Sequence, residues 1–587
     1  MNIALKANWF GGIIGSTVIA YILMFLISLF PAYIWSQPYF SVFLCVLMAI
    51  LFACLLIPVF LPGRYKQERN LLVILMLSVF FSTTLFFMLH PLDYGINGNS
   101  GDALYITASI QQYAHSWKLT DYFYTNLPAY YPPLYFYILG RLSHFTGIST
   151  HIMRNVGLVH VGLLAPFLLY GLWKKIVPST QAVFITFAVV GLTSYEFFLK
   201  PYEFLSFTLF VPWWLYYVED VSQQKPAGRD WTFCTVGSLI GAVLFCTHYY
   251  PFFIGLIYLI IIPVFQFRTQ FFTHRFKILS GTALLSAIYW APLFLSFFRR
   301  GMESYKNWWF RPGLAKFPFP YLEFNWKGII LLVGFMGLFF LWEKTLEKAL
   351  GFFCISVYIW TLLGFFGFFT GTPNLYHKSW YLLHDLLLVS FVLSCFYVYR
   401  RWSHLFSAHK VSILFLIGWV FFVQSWLVDF HRSKKYQKAL HANPRQQVLA
   451  VVDSLPCSPN CVILTNVWSV FAHRPLRSFI SSNALYSHPA GLFKQRLTVL
   501  ESVFTSTNSK RALSKLNTNQ FPQIEIMILK NKNKQLYWNV FVNDFPYTYQ
   551  GRNYYIPRSL FSEPYFEQTR YKDFTVIRPR YNKLTKS

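Results

Sequence analysis

The stretch Phe10-Gly-Gly-Ile-Ile-Gly-Ser-Thr-Val-Ile-Ala-Tyr-Ile-Leu-Met-Phe-Leu-Ile-Ser-Leu-Phe-Pro31 decides the fold class. It carries no charged side chain and is long enough for the ~20 residues a helix needs to cross a bilayer. It offers no small-residue cleavage site, so it reads as a retained span and not a removable leader. The rest of the chain repeats the pattern. Of its 587 residues, 55% are hydrophobic and only 12% are charged. Soluble domains carry roughly 25% charged residues, so most of this chain has no water to face. Thirteen spans are expected, at about 11–31, 39–62, 71–90, 154–173, 181–199, 204–219, 233–250, 252–267, 278–297, 328–342, 349–370, 380–399 and 411–429. The fold class is a polytopic α-helical membrane protein with a C-terminal α/β domain, divided at 1–429 and 430–587.

The formal charge of +28 first suggests nucleic acid. The basic residues, however, gather in short loops and in the tail, as the positive-inside rule expects of a membrane protein. Arg64, Lys66 and Arg69 follow span two, Lys174 and Lys175 follow span four, and Arg268, Arg275 and Lys277 follow span eight. Arg400, Arg401 and Lys410 follow span twelve. All are even-numbered ends, so the N-terminus reads as cytoplasmic and the tail as extracytoplasmic, with a plasma-membrane location. Counting Tyr131–Gly147 as a span would break this alternation. Arg141 and His144 interrupt it, and it reads as a helix in the outer interface, with a true span as the alternative.

Three segments then lie outside, at 91–153, 298–327 and the tail. In the tail, helical patterns (Gln446–Leu455, Gly491–Phe504) alternate with short apolar strands (Val462–Thr465, Ile524–Leu529, Tyr537–Val542, Phe574–Ile577). Six cysteines fall in apolar runs. Cys457 and Cys461 are close enough in sequence for a disulfide in an oxidising compartment.

The first outer loop reads Asp93-Tyr-Gly-Ile-Asn-Gly-Asn-Ser-Gly-Asp102 and continues as a helix. Ala103, Ile106, Ile110, Tyr113, Ala114 and Trp117 share one face of it. Asp102 thus opens an amphipathic helix laid against the membrane. A first-turn carboxylate suits the helix dipole without any catalytic role. It also suits a general base at the mouth of a bundle. Asp93, Asp121 and Glu196 are the rival acids, with Glu203, Glu303, Glu323 and Asp385 also near the outer surface. Cations outside run against the positive-inside trend: Arg299, Arg300, Lys306, Arg311, Lys316, His377 and Lys378. Arginine forks clamp phosphates, while headgroup contacts explain the same residues equally well. His248-Tyr-Tyr-Pro251 closes a span as a ligand or a cap. Few ionisable residues occur mid-span (His160, His384 and Asp385), which disfavours an ion-coupled transporter.

Asn99-Ser-Gly-Asp102, Leu127-Pro-Ala-Tyr-Tyr-Pro-Pro133, Gly140-Arg141 and the tail's Tyr486-Ser-His-Pro489 together resemble the GT-C glycosyltransferases. Among these they are most similar to the galactan arabinofuranosyltransferases of the AftA type. The resemblance implies a GT-C-like fold and transfer of a sugar, arabinofuranose in that family, from a polyprenyl phosphate to a cell-envelope glycan. The configuration would invert. Asp102 matches the family's loop acid and would deprotonate the acceptor hydroxyl. Arg141, Arg299, Arg300, His377, Lys378, Tyr131 and His248 are the candidates for the donor phosphate, and Tyr486 and His488 for the acceptor. No cofactor is assigned and a divalent cation is left open. The partners are the lipid-linked sugar, the glycan and the bilayer, not nucleic acid. Ser100 replaces one glycine of the family's usual pair, which leaves sugar and acceptor open. A lipid or polysaccharide transporter and a non-catalytic glycan-assembly protein are the alternatives.

Overall fold

The computed structural model describes residues 3–29, 66–90, 92, 94–95, 98, 101–193, 195–221, 231–265, 272–303, 317–370, 375–402, 436, 460–518, 520–542, 550–571 and 573–584. The membrane part comprises α1 (Ile3–Ser28), α2 (Lys66–Leu89), α3 (Gly101–His115), α4 (Leu134–Thr146), α5 (Thr150–Trp173), α6 (Ser179–Leu192), α7 (Tyr195–Phe198) and α8 (Pro201–Trp213). It continues with α9 (Trp231–Thr247), α10 (Tyr250–Phe265), α11 (Phe272–Arg300), α12 (Trp326–Phe340), α13 (Thr345–Thr370) and α14 (Ser379–Arg401). Helices stand at eleven of the thirteen expected spans. The spans expected at 39–62 and 411–429 lie outside the described residues, as do Asp93, Cys457 and the 446–455 helix. Among the described residues, five stretches are long and apolar enough by themselves to cross a bilayer: Arg69–Leu89, Thr150–Trp173, His274–Arg300, Thr345–Gly367 and Tyr376–Arg401. Shorter apolar stretches lie at Gly11–Phe25, Ser179–Leu192, Trp231–Thr247, Tyr250–Ile262 and Trp326–Phe340.

The first outer loop departs from expectation in one respect. Every residue of α3 from Ala103 to Ala114 is buried, polar ones included. A helix resting on a membrane surface would keep one wet face. The reason is a second partner. Ile106, Ile110 and Tyr113 pack into the bundle core, while Tyr105 and Ala108 pack with the tail. The helix is therefore clamped between two hydrophobic bodies. α4 crosses it closely: a Cβ at Gly140 would sit 2.6 Å from the Tyr113 Cβ, so only glycine fits there. At 13 residues, α4 is about 20 Å long, too short for a hydrocarbon core of about 30 Å. Ile138, Leu142 and Phe145 form an exposed apolar row along it.

The tail is a mixed α/β domain. β1 (Val462–Thr465), β2 (Arg477–Ser478), β3 (Ile526–Lys532), β4 (Gln535–Val542), β5 (Gln550–Ile556), β6 (Phe566–Arg570) and β7 (Phe574–Pro579) form one sheet, with α15 (Phe493–Phe504) and α16 (Ser509–Leu516) beside it. β1 pairs parallel with β2 and β3, and the remaining pairs are antiparallel. Successive strand side chains point to opposite faces, and in the central strands both faces are covered. Met527 and Leu529 of β3 join the core beneath α15 and α16. Ile526 and Ile528 instead meet Tyr122, Phe123, Tyr124 and Leu127 of the outer loop. The loop thus serves as the second cover of the sheet.

Candidate active site

Where loop, bundle and tail converge, four charged side chains form two ion pairs. Gly101 takes a left-handed φ of +54° to open α3, which places Asp102 in its first turn. Lys200, in the short link before α8, contacts Asp102 Oδ2 at 2.5 Å. The Tyr486 hydroxyl, from the tail, donates to Asp102 Oδ1 at 2.5 Å. Both carboxylate oxygens are therefore engaged, by partners from two different parts of the chain. Behind this pair, Lys378 holds Glu203 of α8 at 2.6 Å. Glu203 is fully buried, whereas Asp102 remains partly open to solvent.

Burial alone would raise the Asp102 carboxyl. The Lys200 ammonium, the hydrogen bonds from Lys200 and Tyr486, and the charge of Lys378 outweigh it and hold the group below the ordinary carboxylate range. Lys200 responds in kind: burial would lower it, but Glu203 and Asp102 keep it above the usual lysine value. The Tyr486 phenol is pushed up, first by burial and then by the Asp102 charge, so it stays a donor. Asp102 is an ionised, hydrogen-bonded carboxylate beside two ammonium groups. Such a group can accept a proton while the cations offset negative charge developing nearby.

Tyr486 is held in turn. Its ring stacks on Tyr105 with centroids 3.6 Å apart, and its carbonyl accepts from the Tyr122 hydroxyl at 3.1 Å. Tyr124 contacts Ser487 at 2.8 Å and accepts from the Ser481 N–H at 3.1 Å. Tyr131 and Tyr202 lie within electrostatic reach of Asp102 and Glu203. His377 occupies the turn carrying Lys378 and lies within reach of Glu203 and Lys200. His248 is buried beside this cluster between Tyr202 and Phe207, and neither of its ring nitrogens has a hydrogen-bond partner among the described residues.

Other candidates stand elsewhere. Asp121 is buried and accepts the backbone N–H groups of Phe123 (2.9 Å) and Tyr124 (2.8 Å), a turn-forming role. Arg141 is buried over the Trp117 ring and donates to the Tyr113 carbonyl, bracing α3 against α4. His488 is buried, its Nδ1 accepting from the Ala490 N–H at 3.0 Å. Arg299 and Arg300 end α11 in the open, with Arg300 facing His488 and Arg496 of the tail. Glu303 accepts from the Lys494 N–H, Glu323 accepts from Asn325, and Asp385 is buried in α14. The Glu196 side chain lies outside the described residues. Among the described residues, no three His, Cys, Asp or Glu side chains are grouped to hold a metal ion. Sequence reasoning passed over Lys200. Its signal was a cation in Lys200-Pro-Tyr-Glu203 at an outer helix end, against the charge rule.

A galactan 5-O-arabinofuranosyltransferase of Mycobacterium leprae (strain TN) is 22% identical over 568 residues, covering 86% of each chain. The archaeal oligosaccharyltransferase AglB from Archaeoglobus fulgidus, solved with an inhibitory peptide and a dolichol-phosphate, superposes with a TM-score of 0.45 at 12% identity, over 83% of this chain and 74% of that one. The apo form of the Archaeoglobus enzyme gives 0.43 at 12% identity, over 81% and 71%. Residues 8–400 match the family described as arabinofuranosyltransferase N terminal, and the chain is a membrane protein belonging to that family.

Proposed function

We propose that this protein transfers an arabinofuranosyl group from a polyprenyl phosphate to a hydroxyl of a galactan-type cell-envelope acceptor, at the outer membrane face and with inversion. The observation that carries the reading is Asp102: an ionised carboxylate at the meeting point of loop, bundle and tail, flanked by Lys200 and Tyr486. The acceptor hydroxyl takes the place of one partner on the carboxylate and gives its proton to Asp102. Its oxygen bonds to the anomeric carbon from the face opposite the leaving group. The anomeric carbon–oxygen bond breaks, and its electron pair leaves with polyprenyl phosphate. Lys200 and Lys378 are the cations assigned to offset charge on that phosphate, the electrostatic contribution that usually weighs most. Tyr131 and His248 line the same region, and Arg141 and His488 serve the scaffold. The thirteen-span count, the cytoplasmic N-terminus and the extracytoplasmic tail belong to the same proposal.

The test is transfer from radiolabelled polyprenyl phosphate arabinose in membranes holding wild type or Asp102→Asn at matched levels. A loss of at least ~10²-fold is expected for a general base. Equal transfer by both would remove Asp102 from the chemistry. Absence of transfer by wild type from any lipid-linked sugar would remove the enzyme reading.

A further inference from the structure

A second concavity lies at the far end of the loop helix. It holds about 370 Å³ and is walled by three parts of the chain: Gln111 and His115 of α3, His144 with the start of α5 at Thr150, and His473 of the tail. That volume falls in the range of small-molecule sites. Asp102 opens α3 whereas Gln111 and His115 lie near its end, so the cavity is about 14–20 Å from the carboxylate along the helix axis.

The walls are cross-braced. Gln111 Nε2 donates to the His473 carbonyl at 3.2 Å. The buried Thr150 hydroxyl reaches Gln111 Oε1 at 2.8 Å and the Ala472 carbonyl at 3.3 Å. The His115 ring contacts the Gln111 carbonyl at 3.1 Å. A cavity held in place before binding loses less entropy on filling. Its chemistry is selective. Among the described residues, no Lys, Arg, Asp or Glu lines it, while imidazoles, hydroxyls and an amide do. A phosphate calls for fixed positive charge. A sugar calls for closely spaced neutral donors and acceptors, which imidazole and amide groups supply in either role. Among the described residues, His, Cys, Asp and Glu form no metal-holding group here.

We infer that this cavity is a secondary carbohydrate subsite, taking a sugar residue of the acceptor chain several units away from the hydroxyl that reacts at Asp102. The inference rests on the glycan-acceptor reading above. The subsite joins tail and membrane part around one ligand, so the acceptor would lie along α3 from the cavity to Asp102. It would favour chains long enough to reach both ends.

The experiment uses the full chain in nanodiscs and galactan oligosaccharides of graded length, from the disaccharide upward. Wild type should gain affinity, read as a falling KM, once the oligosaccharide spans the distance. His144→Ala and His473→Ala should each shrink that gain by ~5–10-fold, the loss of about one hydrogen bond, with kcat held. Binding of the same series to Asp102→Asn, which does not depend on turnover, should show the same step. A length-independent loss, or no loss at any length, would overturn the subsite. So would a defect that followed anionic phospholipid content instead of oligosaccharide length, since that assigns the cavity to a headgroup. If Asp102→Asn still transfers sugar while the length step persists, the base assignment fails and the subsite stands. Thermal unfolding of both variants checks that the fold is retained.

Discussion

At the scale of single residues, the site turns on how Asp102 is kept charged. Tyr486→Phe removes one of its hydrogen-bond donors. The carboxyl should then move up toward its ordinary value, and the acidic limb of the pH profile of kcat/KM should move to higher pH. An unmoved limb would mean that Tyr486 only fills space. Asp121 behaves in the opposite sense. Burial raises it from 3.8 to about 6, against the pull of two backbone N–H groups and Arg477. The fold therefore binds a proton that the unfolded chain has released, and the contribution of Asp121 to stability declines as pH rises through that window. Asp121→Asn keeps an oxygen for both N–H groups and carries no charge. Between pH 4 and 6 its thermal transition should lose this one contribution, so that its stability relative to wild type grows as pH rises, and it should transfer sugar like wild type. Asp102 was legible because a short motif surrounds it. Lys200 and Glu203 were not paired with it or with Lys378, since their partners are brought from distant segments and nothing local announces them.

At the scale of elements, the decisive contact is loop against sheet. Phe123 is fully buried there, and its neighbour Ser478 donates a backbone hydrogen bond to its carbonyl at 2.8 Å. Phe123→Ala should cost about 3–5 kcal/mol, as other buried aromatic truncations do. It should show as earlier thermal unfolding and faster proteolysis of the tail, with transfer falling in parallel. β1, β3, β4 and β7 were readable within a few residues because their apolar patterns are regular. β5 and β6 were missed because they are edge strands. Gln550–Ile556 and Phe566–Arg570 are largely polar and exposed, so neither shows the alternation that marks a half-buried strand. The α3 pattern gave a helix correctly but hid its second partner. Thr107, Ser109, Gln111 and Gln112 look solvent-facing in sequence and are buried in the fold.

At the scale of the whole molecule, hydropathy carried the architecture, and the charge rule alone carried its orientation. Lys494 on the tail and Lys175 after α5 are both exposed and fall on opposite sides in that reading. Introduced singly, Lys494→Cys should react with a membrane-impermeant maleimide on intact cells. Lys175→Cys should react only after permeabilisation. The reverse result would invert the protein. The meeting of three segments at one carboxylate could not be read from hydropathy, which sees each stretch alone.

The separation of Asp102 from Tyr486 by 384 positions also has a meaning in time. A chain is synthesised and folds from its N-terminal end. The carboxylate, Lys200 and the Glu203–Lys378 pair are all made before the tyrosine that completes them. While the tail is still on the ribosome, the loop helix lacks the sheet that buries its outer side and the acid lacks one of its two partners. The membrane part is therefore made with this cluster still incomplete. The cluster gains its second hydrogen-bonding partner only once the tail has been made and has folded against the loop helix.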